Sequence, residues 1–139
     1  MYVIVVGCGR TGSEVAARLC RHAHSVVVID RDKHAFKRLP DDFTGTTMVG
    51  HAIDDDILRS AGVADADAVV ATTYGDNTNL TTVQMAKLAY GVPRTIARVK
   101  DPMRARVFAD LGVETICSTD VMAERFTHLL LPSEPAPEQ

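Results

Sequence analysis

The fold of this 139-residue chain is decided by the stretch Val3-Ile4-Val5-Val6-Gly7-Cys8-Gly9-Arg10-Thr11-Gly12. A run of four β-branched apolar residues predicts a strand that is buried on both faces of a sheet. The glycine pattern G-x-G-x-x-G is informative when it follows such a strand and opens a helix. Gly7 permits a tight turn, Gly9 lets a pyrophosphate approach the backbone, and Gly12 lets the helix pack closely on the strand.

An acidic residue ends the next apolar run, residues 25–29. Asp30 follows Gly12 by 18 residues, where a carboxylate can accept hydrogen bonds from the ribose hydroxyls of an adenine nucleotide. Its charge would repel a 2′-phosphate, which favours NAD or an adenine nucleotide over NADP. Arg31 keeps the alternative open, because an arginine beside this position can hold a 2′-phosphate.

Further apolar runs alternate with segments of helical spacing, at residues 46–49, 68–72, 94–99 and 114–117. Glycines at 62, 91 and 112 follow helical stretches and predict helix ends, and Asp101-Pro102 predicts a helix start. This alternation indicates the α/β class. We predict a Rossmann-like, doubly wound parallel sheet of six strands, in the order 3-2-1-4-5-6, with helices on both faces.

Composition narrows the class of protein. The net charge of −3 argues against a nucleic-acid partner, which would favour a basic face. No apolar run approaches the length of a membrane span and no signal-peptide pattern opens the chain, so we expect a soluble cytoplasmic domain without membrane insertion. The domain is expected over residues 1–131, followed by a proline-rich disordered tail or linker at 132–139.

Other strand ends supply further candidate ligand contacts, because ligands of such sheets bind where the strands deliver their carboxyl ends. The candidates are His51 and Ala52 after the third strand, Thr72 and Thr73 after the fourth, and Arg98 and Lys100 after the fifth. The alternative role of the two threonines is helix capping and loop structure, and the alternative for the arginine and the lysine is a solvated basic edge of the sheet.

The sequence favours a function without catalysis. A dehydrogenase needs a proton donor and a substrate pocket beside the nicotinamide, and no such residues are identifiable. We predict no catalytic residue and no metal site, since neither the five histidines nor the three cysteines show metal-type spacing. We interpret Asp54-Asp55-Asp56 as the first turn of a helix, where negative charge suits the helix dipole, with a cation site as the alternative. Cys8 is read as a small residue in a tight loop, with a reactive thiol as the alternative.

The chain resembles the RCK/KTN domain, also called TrkA-N, a cytoplasmic nucleotide-binding module that regulates potassium channels and transporters. The resemblance lies in residues 3–12, 24–32, 58–71 and 96–102 and extends from residue 1 to about residue 131. It implies binding of NAD(H) or of ATP/ADP. The implied contacts are Gly7, Gly9, Arg10, Thr11, Asp30, Arg31, Thr72, Thr73 and Asn79, with Arg98 reaching phosphates, sometimes across a dimer.

The resemblance also implies partners. Domains of this family dimerise, or assemble into a larger gating ring, beside a membrane potassium channel or transporter, which places them at the inner face of the membrane. The helix expected at residues 120–131 is similar to the family's crossover helix. Its apolar positions suit an intersubunit contact, and packing on the chain's own sheet is the alternative: Val121, Met122, Phe126, Leu129 and Leu130.

One position departs from the family pattern. The family commonly has G-D-A after the third strand, where this chain has Gly50-His51-Ala52. A neutral histidine can still hydrogen-bond or stack on a base. We therefore predict a nucleotide-sensing regulatory domain for potassium transport. The alternatives are a fragment of an NAD-dependent oxidoreductase without its substrate domain, and a dimerisation module with a vestigial site, for which His51 is the evidence.

Overall fold

A computed structural model describes residues 1–131, and the expected tail or linker at 132–139 lies outside them. The strands are β1 (Tyr2–Val6), β2 (Ser25–Asp30), β3 (Thr46–Val49), β4 (Ala68–Ala71), β5 (Arg94–Val99) and β6 (Glu114–Cys117). The helices are α1 (Arg10–Arg21), α2 (Asp55–Ser60), α3 (Asp76–Tyr90), α4 (Pro102–Asp110) and α5 (Ser118–Leu130). Two 3₁₀ turns lie at Lys33–Arg38 and Val63–Asp65.

The six strands form one parallel sheet in the order β3-β2-β1-β4-β5-β6. The predicted order is confirmed, and with it the prediction of a doubly wound sheet. The chain leaves β1 toward one edge and then crosses to pair β4 with the other side of β1. The carboxyl ends of β1 and β4 therefore diverge into loops on either side of a crevice, where such sheets bind ligands.

Each face of the sheet has its own apolar core. On one face α1 and the Lys33–Arg38 turn pack on β1 and β2, with Val5, Val28 and Ala16 at the centre. On the other face α2, α3 and α4 pack on the sheet, with Leu58 and Val83 among the fully buried side chains. Helices on both faces are thus confirmed.

The local signals for helix ends operate as expected. Gly62, Gly91 and Gly112 adopt φ values of +82°, +65° and +83°, a region that costs an L-residue energy and that glycine enters freely. The Asp101 carboxylate accepts the backbone N–H of Met103 at 3.0 Å, ahead of Pro102 in the first turn of α4.

Two boundaries differ from the sequence expectation. β4 ends at Ala71, and Thr72 instead turns its hydroxyl onto the carbonyls of Val6 and Gly7. The last helix begins at Ser118, two residues before the expected start, directly after β6. Asp54 caps α2 by accepting the N–H of Asp56, which confirms the first-turn reading of the acidic cluster.

The two edge strands of the sheet, β3 and β6, are not buried on both faces. β3 is largely exposed, and in β6 only Cys117 is buried, because no helix covers the β5–β6 half of the face that carries α1. α5 does not cover it either, since none of its residues is buried. The structure thus does not show α5 packed into its own sheet. Within residues 1–131 no helix combines the length and the apolar content that crossing a bilayer requires.

Candidate functional site

The glycine turn joins β1 to α1 at the centre of the sheet. Gly9 occupies the N-cap position of α1 without a side-chain cap, and no acidic residue lies in the first turn. The first N–H groups of a helix lack partners within it and carry the positive end of its dipole. This end of α1 is therefore suited to receive an anionic group such as a phosphate.

The three motif glycines are required for different reasons. A Cβ at Gly12 would lie 1.8 Å from the carbonyl oxygen of Gly7, so the close helix–strand contact demands glycine. Gly7 has φ +97°, and a Cβ there would lie 3.0 Å from the backbone nitrogen of Thr73. A Cβ at Gly9 meets no protein atom within 4 Å. Nothing in the protein itself excludes a side chain at Gly9, whereas an approaching ligand would.

Asp30 ties the end of β2 to the glycine turn. Its carboxylate oxygens accept the backbone N–H groups of Cys8 and Asp32, each at 2.8 Å. The N–H of Gly7 donates to the carbonyl of Ile29 at 2.8 Å and closes the same junction. Asp30 thus holds the turn in place and keeps its carboxylate at the mouth of the crevice, where a ribose would lie.

A cavity of about 1010 Å³ opens at this edge of the sheet. Its size suits a nucleotide. Its lining brings together all but three of the sequence-predicted contacts, the exceptions being Lys100, Asn79 and Gly12, which is packed against Gly7. The predicted residues in the lining are Gly7, Gly9, Arg10, Thr11, Asp30, Arg31, His51, Ala52, Thr72, Thr73 and Arg98.

Charge in the cavity is predominantly positive. Asp30 and Asp32 are its two carboxylates, and four arginines line it: Arg10, Arg31, Arg38 and Arg98. None of these four arginines forms an ion pair within residues 1–131, whereas five of the seven arginines outside the cavity do, the exceptions being Arg106 and Arg125. Cations without carboxylate partners around a helix N-terminus favour an anionic ligand.

The loop after β4 is built by hydrogen bonds from Asn79. This side chain is fully buried: its oxygen accepts from Thr73, and its nitrogen donates to the carbonyls of Thr73 and Arg98, each at 2.9 Å. Asn79 therefore acts through the loop and has no surface on the cavity. Thr72, with its hydroxyl on the carbonyls of Val6 and Gly7, likewise anchors the turn.

An aromatic ring and two cations meet above the ends of β4 and β5. The guanidinium of Arg98 lies 5.7 Å from the centre of the Tyr74 ring, and the ammonium of Lys100 lies 5.8 Å from it. These are cation–π distances. Tyr74 is otherwise exposed and lines the cavity, so it holds Arg98 at the rim.

His51 and Arg31 lie side by side after β3 and β2. Nε2 of His51 is 3.4 Å from a terminal guanidinium nitrogen of Arg31, and Nδ1 of His51 is 3.4 Å from the backbone nitrogen of Ile53. Both distances are long for hydrogen bonds. The pair forms the wall of the cavity on the ribose side, next to Asp30.

Cys8 lies in the turn with its side chain fully buried against the core that carries α1. Burial, and then the negative charge of Asp30, raises the pKa of the Cys8 thiol to about 11, with Arg38 acting in the opposite direction. A protonated, buried thiol is unreactive, which supports the reading of Cys8 as a small loop residue. Over residues 1–131, no group of three or more histidine, cysteine or acidic side chains is placed to hold a metal.

Sequence reasoning missed three lining residues that matter for chemistry: Arg38, Tyr74 and Met122. Arg38 reaches the cavity from the end of a 3₁₀ turn, for which the sequence carries no periodic signal. Tyr74 lies next to Thr73 in a loop that was already a candidate, and its exposure alone distinguishes it. Met122 comes from α5, whose approach to the cavity is a tertiary feature.

The TrkA-N domain family model matches residues 3–119. The chain is 39% identical over 137 residues to the Trk system potassium uptake protein TrkA of Streptomyces coelicolor. That match covers 99% of this chain and 61% of the relative, so the chain spans about three-fifths of its length.

Solved structures of a channel protein, GsuK, share the fold. GsuK bound to ADP is 25% identical, with a TM-score of 0.79 over 96% of this chain and 34% of that chain. The GsuK channel bound to NAD is 25% identical, with a TM-score of 0.78 over 93% of this chain and 23% of that chain.

Proposed function

The chain belongs to the TrkA-N domain family, and from that premise we propose that it is the nucleotide-sensing domain of a potassium-transport regulator. It binds NAD(H) or ATP/ADP in the cavity between the glycine turn and the loops after β2 to β5. It acts in the cytoplasm as a homodimer, or within a larger ring, beside a membrane potassium transporter or channel. Its role is regulatory and not catalytic.

One observation carries the proposal of nucleotide binding: four arginines without ion pairs in the described chain line the same cavity as the uncapped start of α1. Gly9 supports the proposal as well. A Cβ at this position would meet no protein atom within 4 Å, so the packing of the protein does not itself require glycine at the point where a phosphate would approach the backbone.

The similar proteins support the same function. A TrkA potassium uptake protein aligns with almost the whole chain, and the two GsuK structures hold ADP and NAD. ADP and NAD share an adenosine and a pyrophosphate. Those are the groups that the Asp30 carboxylate, the glycine turn and the arginines would bind.

Regulation requires that occupancy of the cavity change something outside it. Met122 of α5 lines the cavity, while its neighbours Phe126 and Leu129 are exposed on a helix without buried residues. A ligand that contacts Met122 biases the position of α5, and a partner docked on α5 then responds to occupancy. Differential binding of this kind is what couples two sites.

To test the proposal, the purified chain is mixed with NAD, NADH, ADP, ATP or NADP, and binding is measured by calorimetry and by thermal unfolding. At a hundredfold excess over Kd, a ligand stabilises the native state by about 2.7 kcal/mol. The variant Gly9→Ala should unfold at nearly the wild-type temperature without ligand and lose the stabilisation. Absence of binding by all five nucleotides would refute the proposal.

Charge is tested by a matched pair of variants. Arg98→Gln removes an arginine of the cavity, and Arg106→Gln removes one from α4 that also lacks an ion pair in residues 1–131. Nucleotide affinity should fall about tenfold in the first, because a charge-assisted contact to phosphate is lost, and stay unchanged in the second. Steady consumption of NADH with any added carbonyl substrate would instead favour the oxidoreductase.

A further inference from the structure

Arg31 and Ile53 present donors to the two ring nitrogens of His51, and the imidazole cannot accept from both. A neutral imidazole has one nitrogen that donates and one that accepts. In His51, Nδ1 faces the N–H of Ile53 and Nε2 faces the guanidinium of Arg31, both of which only donate. In either neutral tautomer one of these contacts therefore sets donor against donor, and in the imidazolium both do.

Neighbouring carboxylates leave this conflict in place. Both oxygens of Asp30 accept backbone N–H groups, of Cys8 and Asp32. Asp32, which also lines the cavity, caps the 3₁₀ segment with one carboxylate oxygen, which accepts the N–H of His34 at 2.9 Å. Within residues 1–131 Arg31 has no ion pair.

An anion between the two side chains resolves the arrangement. An oxyanion accepts from the guanidinium of Arg31 and from an Nε2–H of His51 at once, while Nδ1 keeps the N–H of Ile53. Arg38 adds a further positive charge to the same cavity. The position follows Asp30 and the end of β3, which is the ribose side of the cavity.

We propose that Arg31 and His51 form a subsite for a phosphoryl group carried on the adenosine ribose, the 2′-phosphate of NADP(H). This inference rests on the proposed function and goes beyond it, since it adds NADP(H) to the proposed ligands and ranks it above NAD(H). Repulsion by Asp30 is the opposing effect. It is opposed by the positive charge of Arg31 and by the donors that Arg31 and His51 direct at the phosphate.

Paired ligands test the subsite on the intact chain by titration calorimetry at one fixed salt concentration. 2′,5′-ADP is compared with 5′-AMP, and NADP with NAD, since each pair differs by the 2′-phosphate alone. We expect the phosphorylated member to bind at least about tenfold tighter in both pairs. Adenosine 3′,5′-bisphosphate is the third arm, and it should show a smaller gain if the 2′ position is the one recognised.

Two variants assign the preference to its residues. Arg31→Gln removes the guanidinium, and His51→Asp supplies a carboxylate that pairs with Arg31 and repels a phosphate. Each should lower the ratio of NADP to NAD affinity by about tenfold or more, whereas Arg106→Gln should leave the ratio unchanged.

The outcomes separate the two proposals. Tight binding of NAD with equal or weaker binding of NADP overturns the subsite and leaves the nucleotide-sensing function standing. An NADP preference that survives both Arg31→Gln and His51→Asp also overturns the assignment to these residues. A gain from the 3′-phosphate that equals the gain from the 2′-phosphate overturns the stated position. Absence of binding by every ligand overturns the nucleotide function, and the subsite with it.

Discussion

The backbone and the side chain of Cys8 have different structural roles. The backbone N–H donates to Asp30 and shapes the turn, while the thiol fills the core beneath it with no exposed surface. The pKa of the Cys8 thiol is about 11 in the native state, against 9.0 for a free thiol. The contribution of the protonated, buried thiol to the free energy of unfolding is therefore fully present below pH 9 and is lost as the pH rises toward 11.

We therefore predict that the free energy of unfolding falls more steeply between pH 9 and pH 10.5 in the wild-type chain than in Cys8→Ala. Urea unfolding at a series of pH values measures this difference. Tyr2, whose pKa is also raised, first by burial, is present in both chains, so the comparison isolates Cys8. Parallel pH profiles would contradict the prediction. In a Cys20→Ser, Cys117→Ser background, the Cys8 thiol should resist labelling until the chain unfolds.

Single residues also show where sequence reasoning stops. The glycine turn and Asp30 could be predicted, since backbone conformation and strand position dictate them. For Thr72 the sequence leaves open whether the side chain anchors the loop or contacts a ligand; its hydroxyl lies on the carbonyls of Val6 and Gly7 and anchors the turn, while the residue also lines the cavity. Asn79 stabilises the loop through four side-chain hydrogen bonds, three with Thr73 and one with the carbonyl of Arg98, which lies 19 residues further along the chain. Such closure leaves no local signal.

At the scale of elements, the turn between α1 and β2 contains a residue in an unfavourable conformation. Ala23 has φ +63° and is the described chain's one residue other than glycine with a positive φ. The left-handed region costs an alanine about 1 kcal/mol or more relative to glycine. Gly91, the C-cap of α3, shows the favourable case with φ +65°, and a Cβ added there would meet no atom within 4 Å.

These two positions form a reciprocal test. Ala23→Gly should raise the free energy of unfolding by about 0.5 kcal/mol, since part of the relief is offset by the greater entropy of glycine in the unfolded chain. Gly91→Ala should lower it by about 1 kcal/mol, because strain is added with no new contact. Denaturant unfolding at pH 7 measures both. A loss of stability in Ala23→Gly would contradict the account.

Most strands could be located from sequence because burial on both faces of a parallel sheet produces continuous apolar runs. β1 and β2 show this fully. The same rule overstated the burial of β3 and β6, since an edge strand can carry apolar residues without being covered. The Lys33–Arg38 turn was not predicted, because six residues of 3₁₀ helix have too short a pattern to register.

At the scale of the whole molecule, the apolar surface left uncovered is concentrated at one end, on α5 and β6. One half of the sheet is covered on both faces, while α5 carries exposed apolar side chains beside an uncovered part of β6, including Ile116. Exposed apolar residues concentrated on one helix favour an interaction site. The proposed homodimer would bury them, and Met122 would then link the interface to the nucleotide cavity.

The variant Phe126→Asp tests this arrangement in the whole chain. Phe126 is 62% exposed, so the change removes little packing within one chain, and the circular dichroism spectrum should stay that of the wild type. If α5 packs on a second copy, a buried carboxylate without a partner weakens the dimer by several kcal/mol. Sedimentation velocity should then show the wild type as a dimer at micromolar concentration and the variant as a monomer.

Leu88→Asp is the matched control for that experiment. Leu88 is 80% exposed on α3, which packs on the opposite face of the sheet from α1, and it does not line the cavity. An equal insertion of charge there should leave the α5 dimer intact. A dimer that Leu88→Asp dissociates and Phe126→Asp does not would move the interface from α5 to α3. The link through Met122 from the nucleotide to the partner would then be lost, because α3 contributes to the cavity only through Thr78, at the end remote from Leu88.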